Sequence, residues 1–273
     1  MRKLIIILLL CLSTNSYAID RIKPVTKFQL PAWAQVGLKG YWVFNNSSMS
    51  YNGTWGEVAD LSGNGNVGKE VFGANCGGSG VINNCLDTNG STQQVIITTA
   101  TVGGSLEITT GSFGFWWSPQ MLGTYAGFVM CMPNDSQPKW DAPYVAYGFN
   151  YDSTAAGDNC LVFIAYGGGY HNWGFRYVMT DNNWYFIIVS WNGDVMKTYI
   201  NGTLQYASSS TGGGNILYQA GATPGGAPLL GFGGRGSAFS VENSKGKIDN
   251  GAVWSVVLSS VQVRQIYEWG MGE

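Results

Sequence analysis

Charge is scarce in this chain. Asp, Glu, Lys and Arg make up 11% of its 273 residues, and His171 is its only histidine. No basic patch occurs, which argues against nucleic acid, because phosphate contacts need clustered cations. No Cys-x-x-Cys occurs either, and with one histidine a zinc site is not supported. A long apolar run with a 3.6-residue period is missing until the C-terminus, so the chain is not helical in the main. Internal repeats and low-complexity tracts are missing too, and nothing marks a second domain.

Glycine and aromatic residues are what the chain has instead: 40 glycines, and 14% Phe, Trp and Tyr. That composition suits many short strands joined by tight turns in one large all-β domain. The stretch Trp184 to Tyr206 carries the pattern most clearly. Trp184-Tyr-Phe-Ile-Ile-Val-Ser-Trp191, Val195-Met-Lys-Thr-Tyr-Ile200 and Thr203-Leu-Gln-Tyr206 are separated by Asn192-Gly193 and Asn201-Gly202. Asn and Gly accept the positive φ of tight hairpin turns, so the stretch predicts a three-strand antiparallel meander. Its first run is apolar on both faces, as expected of a strand covered above and below.

The N-terminus reads as a signal peptide over residues 1–18. Arg2 and Lys3 form its positive end, Leu4 to Leu12 its apolar stretch, and Ser16-Tyr-Ala18 its cleavage site. The apolar stretch is too short to span a bilayer. Removing Arg2 and Lys3 leaves 12 basic against 16 acidic residues, about −4. The expected location is secreted, extracellular, cell-surface or periplasmic. Four cysteines then remain, Cys76, Cys85, Cys131 and Cys160, and an even number in an exported chain favours disulfides. Of the three pairings open to them, Cys76–Cys85 and Cys131–Cys160 are favoured. Residues 19–37, with Pro24 and Pro31, read as an extended arm that packs along the domain or reaches a partner, including a second copy of the chain.

Strands are expected at Gly40–Phe44, Lys69–Phe72, Gln94–Thr98, Ser105–Thr109, Ser112–Pro119, Tyr125–Met132, Tyr144–Asn150, Cys160–Tyr166, Trp173–Met179, Pro228–Phe232 and Lys245–Val256. Between them lie two polar, aromatic loops, Pro133 to Asp141 and Gly167 to Trp173. One helix is well signalled: Ser259-Ser-Val-Gln262 is a capping box, Val263, Ile266 and Tyr267 make a buried face, and Gly270 is placed to stop it.

Four segments in order resemble the laminin-G-like domains with the concanavalin A-like jelly-roll fold. They are Gly40-Tyr-Trp-Val-Phe with Asp60-Leu-Ser-Gly-Asn-Gly-Asn-Val-Gly68, Phe113 to Pro119, Trp184 to Leu204, and Gly246-Lys-Ile-Asp249 with Trp254 and the helix to Tyr267. The resemblance covers residues 38–270 and implies an antiparallel jelly-roll β-sandwich with a short C-terminal helix in residues 38–273. It also implies a calcium ion, structural in role, where the Asp of the glycine loop meets the Asp of the late strand, here Asp60 and Asp249. Asn64 and Asn66 would add oxygens to that site. Where the family often has an acid after the second Asp, this chain has Asn250. The competing reading is that Asp60 and Asp249 cap turns.

Function is less legible, because this fold hosts lectins, adhesion modules and enzymes alike. Sugars stack their apolar faces on aromatic rings while polar neighbours take the hydroxyls. Trp140 with Asp141, and Tyr170 and His171 with Trp173, offer that combination. Trp173 as a core residue and Trp140 as a staple under its loop are the alternatives. The acidic triplet at alternate positions that jelly-roll β-glucanases carry is missing, and the six glutamates are scattered. Tyr170, His171 and Arg176 would be a thin basis for lyase chemistry. The expected function is therefore a non-catalytic recognition module for a glycan or cell-surface protein. The alternative is a structural subunit of a cell-surface or virus-particle assembly, and a glycan-cleaving enzyme comes third.

Overall fold

The computed structural model describes residues 30–44, 49–51, 56–71, 74–82, 84–90, 93–98, 106, 108–120, 126–133, 147–152, 160–166, 170–192, 195–208, 228–234 and 244–272. The expected signal peptide and the first part of the arm lie outside them. A 3-10 turn at Ala32–Gln35 is followed by β1 (Leu38–Trp42), β2 (Met49–Tyr51), β3 (Gly56–Val58), β4 (Gly68–Val71), β5 (Asn75–Ser79) and β6 (Asn84–Asn89). Then come β7 (Gln94–Thr98), β8 (Gly111–Pro119), β9 (Ala126–Pro133), β10 (Tyr147–Asp152), β11 (Cys160–Tyr166) and β12 (Tyr170–Arg176). The last are β13 (Tyr185–Asn192), β14 (Val195–Ile200), β15 (Thr203–Ala207), β16 (Pro228–Phe232), β17 (Lys245–Trp254) and the helix α1 (Ser260–Met271).

These strands form two antiparallel sheets. The eight-stranded sheet runs β15-β14-β13-β8-β17-β6-β5, with β1 also paired to β17. The nine-stranded sheet runs β12-β11-β10-β9-β16-β7-β4-β3-β2. Alternation along β8 sends Phe113, Phe115 and Trp117 into the space between the sheets, where they meet Phe149, Tyr151, Leu230 and Phe232 of the other sheet. Its remaining large side chain, Trp116, faces outward. There it joins Phe186, Ile188, Tyr41 and Trp254 in a second apolar layer, covered by Val263 and Ile266 of α1 and by Leu30 and Ala34. The expected cover on both faces of β13 is thus present, and the described end of the arm supplies part of it: Trp254 Nε1 donates to Ala34 O at 2.7 Å.

The meander is β13, β14 and β15. Its second turn has Asn201 at φ 50° and Gly202 at φ 73°, the left-handed pair that a two-residue hairpin requires. The Asn201 carboxamide oxygen also accepts from Phe186 N at 2.9 Å, tying the turn back to β13. Tyr206 of β15 stacks on Phe175 of β12, with centroids 5.5 Å apart and planes 3° apart, which closes one side seam of the sandwich. The capping box forms as the sequence implies, with Ser259 N donating to Gln262 Oε1 and Gln262 N to Ser259 Oγ.

Three sequence expectations change. The helix stops at Gly272, which takes the left-handed C-cap, and Gly270 lies within it. Gly270 is there because a Cβ would stand 2.9 Å from the Trp116 ring. The expected strand at Ser105–Thr109 is not formed by the described residues there; Leu106 and Ile108 bury their side chains from an irregular segment. Trp184 lies just outside β13 and packs on the outer layer only partly buried.

Neither favoured disulfide fits the strand register. Cys76 belongs to the layer between the sheets, as does Leu86. Cys85 precedes Leu86 on β6, so it points to the opposite face, where its Sγ donates to Ser79 O at 3.4 Å. The two sulfurs are therefore on opposite sides of the sheet and are not joined. Cys131 sits opposite Tyr147 at one end of β10, and Cys160 opposite Asp152 at the other. Strand rise alone separates those rows by about 17 Å, far beyond the roughly 7 Å Cα limit of a disulfide.

Two outcomes follow. Non-reducing peptide mapping should recover neither a Cys76–Cys85 nor a Cys131–Cys160 linked peptide; either one would contradict this register. Trp254→Ala should cost about 3–5 kcal/mol in chemical denaturation, the usual range for a buried Trp. Trp184→Ala should cost clearly less, and equal losses would mean that the outer layer is misdescribed.

Candidate functional site

The glycine loop after β3 is held against β1. Asp60 bridges Trp42 on the edge of β1 opposite β17. Its Oδ1 accepts from Tyr41 N at 3.0 Å and Ser62 N at 2.9 Å, and its Oδ2 from Asn66 N at 2.9 Å. The amide of Asn64 donates to Leu38 O and that of Asn66 to Lys39 O, while Trp42 Nε1 donates to Asn66 O. Gly63 and Gly65, at φ 83° and 76°, allow the chain to curl around the carboxylate. Each polar side chain of the loop thus holds it closed.

Asp249 is elsewhere. It sits opposite Trp116 on the outer face of β17, where the strand bulges and Asn250 adopts φ 48°. It is fully buried. Its Oδ2 accepts from Val81 N and Ile82 N, each at 3.0 Å, which anchors the turn between β5 and β6. Gly80 makes room for this contact, since a Cβ there would stand 2.6 Å from Oδ2. Oδ1 has no hydrogen-bond partner. Burial pushes the carboxyl up to about 7, against the pull of the Ile82, Asn250 and Val81 N–H groups. The same pocket raises the Cys85 thiol to about 12, by burial first and then by Asp249, and raises the Tyr41 hydroxyl for the same two reasons.

These residues do not fit the calcium site that the resemblance implies. Calcium takes six to eight oxygens with lone pairs directed at it. Backbone N–H groups occupy both Asp60 oxygens and one Asp249 oxygen. Strand β1 stands between the two carboxylates, so their backbones are two strand spacings apart, on the order of 10 Å. Among the described residues no three His, Cys, Asp or Glu come together as a metal would need. Turn-capping, the competing reading of Asp60 and Asp249, is what the hydrogen bonds describe.

The described aromatic candidates, Tyr170 and Trp173, belong to the nine-stranded sheet with His171. Cys131, Tyr147, Ala165 and His171 lie in one row across β9, β10, β11 and β12. Trp140 and Asp141 stand in the sequence between Pro133 of β9 and Tyr147 of β10 and lie outside the described residues. Tyr170, His171 and Trp173 belong to β12, a strand rather than the expected loop, on the edge of its sheet. Along β12, position 173 shares the row of Phe175, which packs on the core, while position 170 shares the row of exposed Arg176. Sequence reasoning missed Tyr147 and Tyr166. Register puts Tyr166 opposite Tyr170 and Tyr147 opposite Ala165, and only hairpin pairing could reveal it.

Two antiparallel sheets face to face, one backed by a C-terminal helix, define a jelly-roll domain of the lectin type. Residues 89–264 match the sequence profile of the concanavalin A-like lectin/glucanases superfamily, and the chain belongs to that family. Among curated proteins none matches. Solved structures share the fold. Domain 4 of AbnA, a GH43 extracellular arabinanase from Geobacillus stearothermophilus, solved with arabinotriose, is 17% identical over 84% of this chain and 98% of that one, with a TM-score of 0.56. The botulinum neurotoxin serotype D binding domain is 14% identical over 86% of this chain and 52% of that one, with a TM-score of 0.60. The Trypanosoma rangeli sialidase, solved with sialic acid, is 13% identical over 86% and 33%, with a TM-score of 0.58. The chain thus spans about half the length of the toxin binding domain it matches. Among the described residues no helix is long and apolar enough to cross a membrane.

The Asp249 environment predicts a pH dependence. Its carboxyl titrates near 7 when folded and near the ordinary 3.9 when unfolded. The folded state therefore binds the extra proton between those values, and stability falls as pH rises through that window. The Tm of the wild type should rise as pH is lowered from about 8 to about 5. Asp249→Asn should lose that part of the rise. Identical profiles for the two proteins would mean that Asp249 does not titrate there.

Proposed function

We propose that this chain is an exported, non-catalytic module that recognises a glycan at the end of the nine-stranded sheet where β9 to β12 turn. The observation that carries the reading is the single row Cys131–Tyr147–Ala165–His171. It sets the Tyr170–His171 start of β12 level with Cys131 near the end of β9 and Tyr147 at the start of β10, and Trp140 and Asp141 stand between those two in the sequence. Aromatic rings beside an imidazole and a carboxylate are the groups that stack on a sugar and take its hydroxyls. Family membership supports the reading, as do neighbours solved with arabinotriose and with N-acetylneuraminic acid.

A glycosidase needs two carboxyl groups facing across a bond. Asp60 and Asp249, which the resemblance singles out, are engaged with backbone N–H groups on opposite sides of β1, so they supply no such pair. The assembly alternative rested on an arm free to reach a neighbouring copy, and its described end folds back on its own domain. A cell-surface protein partner remains the second outcome of a binding screen. Export rests on the Arg2-Lys3 and Leu4 to Leu12 leader and on the extracellular setting of the arabinanase neighbour.

A glycan array probed with the mature protein tests this. Tyr170→Ala and Trp140→Ala should each weaken capture by roughly tenfold, the equivalent of about 1.4 kcal/mol, at unchanged Tm. Trp173→Ala should instead lower the Tm, as its row implies. No glycan captured at any concentration, or full binding by both variants, would sink the proposal.

A further inference from the structure

We infer that the domain does without calcium where its family resemblance assigns it: backbone N–H donors take the place of the ion at both carboxylates. An ion at that position would tie the start of the domain to its late strand. Here each tie is made separately. Asp60 gathers three N–H groups and closes the glycine loop on β1. Asp249 gathers two and closes the β5–β6 turn on β17, with Gly80 admitting the contact. A carboxylate that accepts from several N–H groups has little left to offer a cation, because those hydrogens point their positive ends at the metal's position. Combined with the glycan reading proposed above, on which this second half rests, it follows that recognition is independent of divalent cations.

The hydrogen bonds also give the two residues different tolerances, which a shared metal site would not. At Asp249 a single oxygen accepts both N–H groups and the other is without a partner. An Asn there keeps the accepting oxygen and removes a buried charge. At Asp60 both oxygens accept. An Asn there turns one acceptor into an NH₂ facing an N–H, and one loop bond is lost.

Melting curves with calcium chloride and with chelator decide the matter, on wild type, Asp60→Asn, Asp249→Asn and Asp249→Ala. The wild-type Tm should be the same in both conditions. In chelator, Asp60→Asn and Asp249→Ala should each lose several degrees, while Asp249→Asn at pH 8 should match or exceed wild type. A calcium-induced rise in the wild-type Tm overturns the inference, and so does a chelated Asp60→Asn that melts like wild type. Glycan capture repeated in chelator should be unchanged; a loss there alone also overturns it. If no glycan is captured in either condition, the glycan reading fails and the melting comparison still stands.

Discussion

The eight-stranded sheet is apolar on both faces, and the rest of the molecule answers that constraint. Phe113, Phe115 and Trp117 leave β8 on one side while Trp116 leaves on the other, and β13 divides its side chains in the same way. A sheet of this kind is stable only when it is covered twice. The nine-stranded sheet covers it inside. The C-terminal helix and the 30–37 segment cover it outside, although they come from opposite ends of the chain.

Those outer covers fix several details that look minor in isolation. Gly270 sits inside α1 because the helix must approach the Trp116 ring. Trp254 meets the backbone of Ala34 through its ring N–H, so the arm is a part of the core layer. Ser112 Oγ accepts from Leu258 N at 2.9 Å and donates to Val256 O at 2.9 Å, which pins the entry to the helix over the same sheet. Asp249 is buried on the same outer face, opposite Trp116, and its carboxylate is met by the N–H groups of the turn after β5.

One sheet's outer face is closed off, and the glycan site proposed above is assigned to the edge and ends of the other sheet. Loops and strand ends on a rigid scaffold can vary without disturbing the core. The row through His171 shows how the scaffold gathers positions from separate hairpins at one end of that sheet.

By itself the sequence determined the elements whose signals are local. The Asn201-Gly202 turn, the alternation of Phe113, Phe115 and Trp117, and the Ser259–Gln262 capping box each depend on neighbours within a few residues, and each forms as read. The jelly-roll class followed from four such segments in order. Tertiary structure alone decided everything that depends on which strand lies beside which. It put Cys76 and Cys85 on opposite faces, set Cys131 and Cys160 at opposite ends of β10, and placed β1 between Asp60 and Asp249. It also set Tyr166 opposite Tyr170, and Tyr147 in the row of His171. The reason is physical: a side chain's face and row are set by long-range hydrogen-bond register, and a shift of one residue reverses them.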